Sequence, residues 1–286
     1  MLRGLRAIRG YAWRMSQPPA PKPPGEHHPA VVLEHLEPSA PLAGVAELVE
    51  GFGLWERPAA PTPRPRLLLN MLSTADGRAT LAGRSGTISG PADRALFHAL
   101  RAPVDGILVG AGTVRMERYG RIIPDAAVRE LRLERGLTPE PLACIVSGRL
   151  DLGEEIPLLR EPDARVALLT SSQASLPHSD ATVEYVRAGQ GQLDLEGALA
   201  ELAERFAIQT LLCEGGPHLA RELLARGLVD ELFLSLAPLL AGGEPSGGEA
   251  LRILAGAELE PPARLELLDV LRSDSYLFLR YGVSAA

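Results

Sequence analysis

Thr210-Leu211-Leu212-Cys213-Glu214-Gly215-Gly216-Pro217-His218-Leu219 is the stretch that decides the fold. Thr210 to Cys213 reads as a buried strand. Pro217 opens an amphipathic run to Arg226, with Gly227 placed as a C-cap. Strand, glycine turn and helix start together aim free backbone N–H groups and the positive end of a helix dipole at one spot. Such a spot holds phosphate or another anion. Gly215 and Gly216, lacking Cβ atoms, let the main chain approach it, and Glu214 hangs a carboxylate at its lip. A phosphate cradle beside a carboxylate points to a nucleotide together with a second, polar ligand.

Upstream of this stretch the same alternation repeats. Strands are expected at Arg66–Leu72, Gly106–Val109, Leu142–Val146, Val166–Leu169 and Val183–Val186. Helices are expected at Pro91–Arg101, from Thr113 to Met116 and onward, at Asp125–Arg135 (charged and mostly exposed) and at Leu195–Phe206. Strands at Glu231–Leu236, Arg264–Val270 and Tyr276–Tyr281 close the domain, the last two joined by a hairpin turn over Leu271–Ser275. The expected fold class is α/β: a mixed, mostly parallel central sheet with helices on both faces and an antiparallel C-terminal edge.

The chain has 286 residues, 46% of them hydrophobic, enough for a large core. Its net charge of −7 argues against a nucleic-acid partner. Lys22 is the only lysine, which disfavours Schiff-base chemistry. Cys144 and Cys213 sit in apolar runs and read as small buried hydrophobes. The histidines show no metal-ligand spacing, so no metal is expected. No apolar stretch reaches bilayer-spanning length, and a cytoplasmic location is expected.

Residues 1–30 read as a flexible or disordered arm, proline-rich from residue 16. Met1 to Met15, with four arginines, is either part of that arm or an over-long start with Met15 as initiator. Residues 31–63 read as an extension packing on the main domain, with a short amphipathic helix over Leu42–Phe52. Residues 64–286 form the main domain.

Three further segments bear on function. Leu108-Val109-Gly110-Ala111-Gly112-Thr113-Val114-Arg115 runs from a strand into Gly-x-Gly and a helix, but Arg115 stands at the third glycine position of a Rossmann fingerprint. It is either a phosphate-binding helix start using the Thr113 hydroxyl, or a tight turn with Thr113 as N-cap. Asn70-Met71-Leu72-Ser73-Thr74-Ala75-Asp76-Gly77-Arg78 is either a turn or a strand end lining a crevice. Arg101, Arg115, Arg118 and Arg121 could clamp a sugar phosphate, although surface arginine is the ordinary alternative.

In order, Thr74–Arg78, Ile88–Pro91, Leu100–Val114, Glu214–Pro217 and Gly227–Gly242 resemble the reductase domain of riboflavin biosynthesis, within the dihydrofolate-reductase-like superfamily. The resemblance runs from about residue 64 to the C-terminus. It implies an NADPH-dependent reductase that delivers hydride to the ribosyl C1′ of 5-amino-6-(5-phosphoribosylamino)uracil. It implies cofactor contacts at Leu72, Thr87, Gly110, Gly112, Thr113, Glu117, Ser147, Gly215, Gly216, Pro217, His218 and Leu219. Substrate contacts are implied at Asn70, Ser85, Arg101 and Glu214, with Arg118 or Arg121 replacing an arginine the family uses for phosphate. Glu214 and Asp76 are the expected catalytic groups, and a homodimer is the expected assembly. Asn70, Thr87 and Glu117 stand where the family commonly has Lys, Trp and Asp. Two other readings keep the cofactor: a dihydrofolate or other pteridine reductase, and an NADP(H)-binding paralogue without turnover. The family's zinc deaminase motifs are absent from residues 1–63.

Overall fold

Leu67 and Leu69 bury into one hydrophobic core while Leu68, between them, buries into another. This period-two alternation makes their strand the centre of a sheet covered on both faces. The computed structural model describes residues 44–57, 62–153, 155–243 and 251–284. The expected arm, and the extension before residue 44, lie outside the described residues.

Among the described residues nine strands form one sheet: β1 (Arg66–Thr74), β2 (Gly106–Gly110), β3 (Leu142–Val146), β4 (Arg165–Thr170), β5 (Thr182–Arg187), β6 (Thr210–Cys213), β7 (Glu231–Ala237), β8 (Arg264–Ser273) and β9 (Tyr276–Ser284). Their spatial order is β5-β4-β3-β2-β6-β1-β7-β9-β8. All neighbours from β5 across to β7 run parallel, whereas β9 pairs antiparallel with β7 and with β8. The mixed sheet with an antiparallel C-terminal edge is the architecture the sequence predicts. The β8–β9 turn is shorter than expected, because Leu271 and Ser273 still pair with Phe278 and Tyr276. Only Asp274 and Ser275 turn, and Asp274 takes a φ of +51° that Asp tolerates better than most residues.

Helices α1 (Val45–Gly51), α2 (Pro91–Leu100), α3 (Ala111–Glu117) and α4 (Ala126–Glu134) contribute to the core on one face; α5 (Leu195–Phe206) and α6 (Pro217–Ala225) cover the other. Asp125 caps α4 by accepting from the Ala127 N–H, and Asp194 caps α5 by accepting from the Gly197 N–H. α3 begins at Ala111 with Gly110 as N-cap, so Thr113 lies inside the first turn and is not the cap. Val49, Phe52 and Leu54 pack into the same core as Leu96 and Phe233.

α4 is exposed along most of its length, as its charge predicts, with one exception: Arg132 is 0% exposed. Backbone carbonyls of Ala102 and Val104, in the loop just after α2, draw it inward. Cys144 and Cys213 are both buried and free, and burial pushes the Cys213 thiol up to about 12.

Candidate active site

β2 and β6 are neighbours, and each ends in a glycine turn on the same side of the sheet. The two turns meet: the Gly110 N–H donates to the Gly215 carbonyl oxygen at 2.8 Å. Gly215 sits at φ +83°, a value glycine adopts without strain. A β-carbon placed on Gly216 would stand 2.8 Å from Thr113 Oγ1. Strand order changes direction here, since β2 leads on to β3, β4 and β5 while β1 and β7 lie beyond β6. The carboxyl ends of strands at such a switch are where open α/β sheets bind ligands.

A cavity of about 660 Å³ opens at this point. Met71, Leu72, Met116 and Leu219 give it apolar walls, and the first residues of α6 contribute Pro217 and His218. Pro217 at the first helical position has no N–H to leave unsatisfied and carries the φ the helix needs. The first N–H groups of α3 and α6, which have no side-chain cap, are the donors available to anionic oxygens here.

The opposite wall comes from α2. Arg94, Phe97, His98 and Arg101 recur at helical spacing and line the cavity, while Leu96 and Leu100 face the core. Arg101 reaches across to Glu214: its Nε donates to Oε1 at 2.7 Å and its Nη2 to Oε2 at 2.8 Å. The Tyr119 hydroxyl also donates to Glu214 Oε2, at 2.6 Å. Remaining Arg101 capacity goes to the Ile122 carbonyl through Nη1, and the guanidinium lies 4.2 Å from the Phe97 ring centroid. The Glu214 side chain is only 1% exposed and that of Arg101 7%.

A pair this deep is stable only because each charge meets the other in bidentate geometry. Burial pulls the Arg101 pKa down, but the Glu214 charge and hydrogen bonds outweigh it, so the net shift is upward. Burial and the Glu214 charge both raise the Tyr119 phenol well above its usual range, so it remains a donor. Burial and the Arg101 charge lower the His98 pKa below the ordinary imidazole value.

Fifteen of the expected residues line this cavity: Asn70, Leu72, Ser85, Arg101, Gly110, Gly112, Thr113, Glu117, Arg118, Arg121, Glu214, Gly216, Pro217, His218 and Leu219. Within it Ser85 and Glu117 bond to each other, as the Ser85 N–H and hydroxyl both donate to Glu117 Oε1 at 2.9 Å. Arg121 is committed to Glu140 and Glu161. Among the described residues the Arg118 side chain has no hydrogen-bond or ion-pair partner, and Arg118 is held in the left-handed region at the C-cap of α3, φ +52°.

Four expected residues lie outside the lining. Asp76, expected as catalytic, spends its carboxylate on the Thr74 hydroxyl and on the N–H groups of Ala241 and Gly242. It ties the turn after β1 to the segment after β7. Thr87 is exposed and bonds back to the Arg84 carbonyl. Ser147 is buried and its hydroxyl accepts from the Leu150 N–H. Gly215 faces Gly110 behind the cavity wall. Arg115, a candidate phosphate clamp, pairs instead with Asp151 at 2.7 Å.

Tyr119 is the chief residue that sequence reasoning missed. Its signal was weak: a hydroxyl-bearing aromatic in a chain with only five tyrosines, set between Arg118 and Gly120. Phe97 and His98 were more accessible, because they share the helical face of Arg101. Among the described residues, no group of three or more His, Cys, Asp or Glu side chains is placed to hold a metal ion. No described helix is long and apolar enough to cross a membrane.

Residues 65–275 match the RibD C-terminal domain family. The chain is 30% identical over 212 residues to the 2,5-diamino-6-ribosylamino-4(3H)-pyrimidinone 5′-phosphate reductase of Methanothermobacter thermautotrophicus, covering 71% of this chain and 91% of that protein. It is 29% identical over 187 residues to the Archaeoglobus fulgidus protein of the same name, covering 64% and 84% respectively. Among solved structures, a pyrimidine reductase-like protein from Corynebacterium diphtheriae superposes with a TM-score of 0.66 at 24% identity, covering 85% of this chain and 100% of that one. That likeness shows the shared fold.

Proposed function

Because the chain belongs to the RibD C-terminal domain family, we propose that this cavity binds NADPH and a 6-(5-phosphoribosylamino)pyrimidine side by side and reduces the ribosyl C1′. The chain is a reductase of the riboflavin-pathway type. The resemblance implies 5-amino-6-(5-phosphoribosylamino)uracil as the substrate; the archaeal relatives are named for the 2,5-diamino pyrimidinone. The observation that carries the reading is the convergence of the 110 and 215 turns on one cavity that also holds the Arg101–Glu214 pair.

The chain's own groups fit a dinucleotide. Gly112 and the start of α6 offer N–H donors without side chains in the way, Gly110 and Gly216 keep the approach free of side chains, and a β-carbon at Gly216 would fill the cradle. When bound, NADPH supplies the hydride. Thr113, Pro217, His218 and Leu219 hold it in our reading, with Leu72 and Glu117 beside them. Glu214, fixed by three hydrogen bonds, keeps acceptor capacity on Oε1 for one N–H of a pyrimidine ring. Asn70 and Ser85 line the same space. Arg118 takes the 5′-phosphate, since Arg121 is already neutralised by two carboxylates. The apolar walls exclude water from the reacting carbon. Catalysis here is chiefly alignment of two bound molecules.

The neighbouring readings are less well supported. None of the relatives named above is a pteridine reductase, and a paralogue without turnover does not explain a cavity that retains both the cradle and the buried pair. A homodimer through the C-terminal hairpin is also proposed, because Leu265, Leu267, Leu268 and Leu277 are exposed there. Sedimentation at two protein concentrations tests it. The function is tested by following NADPH oxidation with each of the two pyrimidine phosphates and with dihydrofolate. Turnover of either pyrimidine supports the reading; turnover of dihydrofolate alone, or of none, overturns it.

A further inference from the structure

We propose that Arg132, on a helix outside the cavity, is a positioning residue that sets the aim of Arg101 by gripping the main chain at the end of α2. Arg132 is 0% exposed and is the one buried residue of α4. Its Nη1 donates to the carbonyls of Ala102 at 2.5 Å, Val104 at 2.8 Å and Arg101 at 3.3 Å, and its Nε to that of Thr138 at 2.9 Å. Its Nη2 has no partner among the described residues. No carboxylate there forms an ion pair with it.

A buried cation met only by carbonyls is a costly way to fill space. Removing such a charge from water costs several kcal/mol, and an apolar side chain of similar volume serves packing better. Burial accordingly lowers the Arg132 pKa to about 10. What the guanidinium gains is specific placement: the carbonyls it binds are those of the C-cap Arg101 and of Ala102 and Val104 in the loop just beyond α2, where a cation is also favoured by the helix dipole.

Arg101 is the C-cap residue of that helix. Its main chain is held by Arg132, while its own Nη1 donates to Ile122 O at 2.9 Å. Ile122 and Arg132 belong to the same excursion between α3 and β3, and Glu140 at the far end of that excursion accepts from the Ile122 N–H. The excursion therefore holds Arg101 at both ends. It also delivers Tyr119 to Glu214. A fork that must meet a carboxylate in bidentate register tolerates only about 0.5 Å of error, so the grip on the backbone bears directly on the pair inside the cavity.

The activity part of this inference rests on the function proposed above, and a spectroscopic arm makes it testable without that function. Arg132→Lys keeps charge but cannot reach three carbonyls; Arg132→Met removes the charge. The Arg101 Nε–H resonance, assigned by its loss in Arg101→Lys, reports the Glu214 bond. In Arg132→Lys this resonance should shift or broaden. The pyrimidine KM should rise at least about tenfold, NADPH Kd should stay within about twofold, and the Arg101→Lys/Arg132→Lys double variant should be no slower than Arg101→Lys alone. A folded Arg132→Lys with an unmoved resonance and unchanged pyrimidine kinetics overturns the proposal. So does an additive double variant, or an equal loss of NADPH affinity. If Arg132→Met does not fold, Arg132→Lys decides alone. If the wild type turns over neither pyrimidine, the function fails and the resonance still decides the role of Arg132.

Discussion

Thr113 and Gly216 face each other across the groove so closely that a single added β-carbon would come within 2.8 Å of the threonine hydroxyl oxygen. Gly216→Val should therefore raise the NADPH Kd more than about tenfold, about 1.4 kcal/mol. Gly216→Ala should do less, and Thr113→Ala should recover part of that loss by vacating the contact. Fluorescence titration with NADPH measures all three. An unchanged Kd in Gly216→Val would remove the dinucleotide from this groove.

Glu214 and Arg101 should respond differently to substitution although they form one pair. Glu214→Gln keeps the shape and should lower kcat/KM for the pyrimidine at least about tenfold with NADPH affinity spared. Arg101→Met strands a buried carboxylate and should cost about 3–5 kcal/mol of stability. Tyr119→Phe removes one neutral donor to a charged acceptor, worth about 1.5–3 kcal/mol. Urea unfolding and steady-state kinetics separate the three variants. Equal stability of Arg101→Met and wild type would contradict the burial described above.

The phosphate assignment divides two neighbouring arginines. Arg118→Ala should raise the KM of the phosphorylated substrate strongly and leave that of its dephosphorylated analogue unmoved. Arg121→Ala should change neither KM by more than about twofold, because its charge already serves Glu140 and Glu161. Reversal of this pattern would transfer the phosphate to Arg121.

Asp76 predicts a pH signature. The Thr74 hydroxyl, followed by the N–H groups of Gly242 and Ala241, holds its carboxyl down to about 2. A folded pKa below the unfolded value, about 3.9, gives stability that is present above that value and lost as pH falls through about 2. Asp76→Asn should flatten the urea midpoint between those two pH values. Its NADPH Kd should not change, since Asp76 lies outside the cavity lining. A steep acid limb retained in Asp76→Asn would mean the loss arises elsewhere.

Periodicity made most of the sheet legible. Leu142–Val146, Leu195–Phe206 and Thr210–Cys213 have the bounds their apolar patterns predict, because each is buried where its pattern says it should be. The glycine cradle was readable for the same reason: glycine at a strand-to-helix turn has few other uses. Side chains that act at long range were not readable. Nothing local marks Tyr119 as a donor to Glu214, 95 residues away. The charge of Arg132 argues for solvent, but carbonyls of the C-cap and loop after α2 claim it. Asp76 sits at a strand end, where chemistry is expected, whereas beyond Thr74 its partners lie 165 and 166 residues downstream.

The strand order carries a consequence for assembly of the chain. β1 is flanked by β6 and β7, both of which come much later in the sequence. A nascent polypeptide that ends before residue 210 leaves β1 with neither neighbour, and β2 joined only to β3. The insertion of β6 is thus the event that knits two separate halves, and the same insertion brings residues 110 and 215 face to face. Binding competence and sheet closure should appear together on the ribosome, as a single late step.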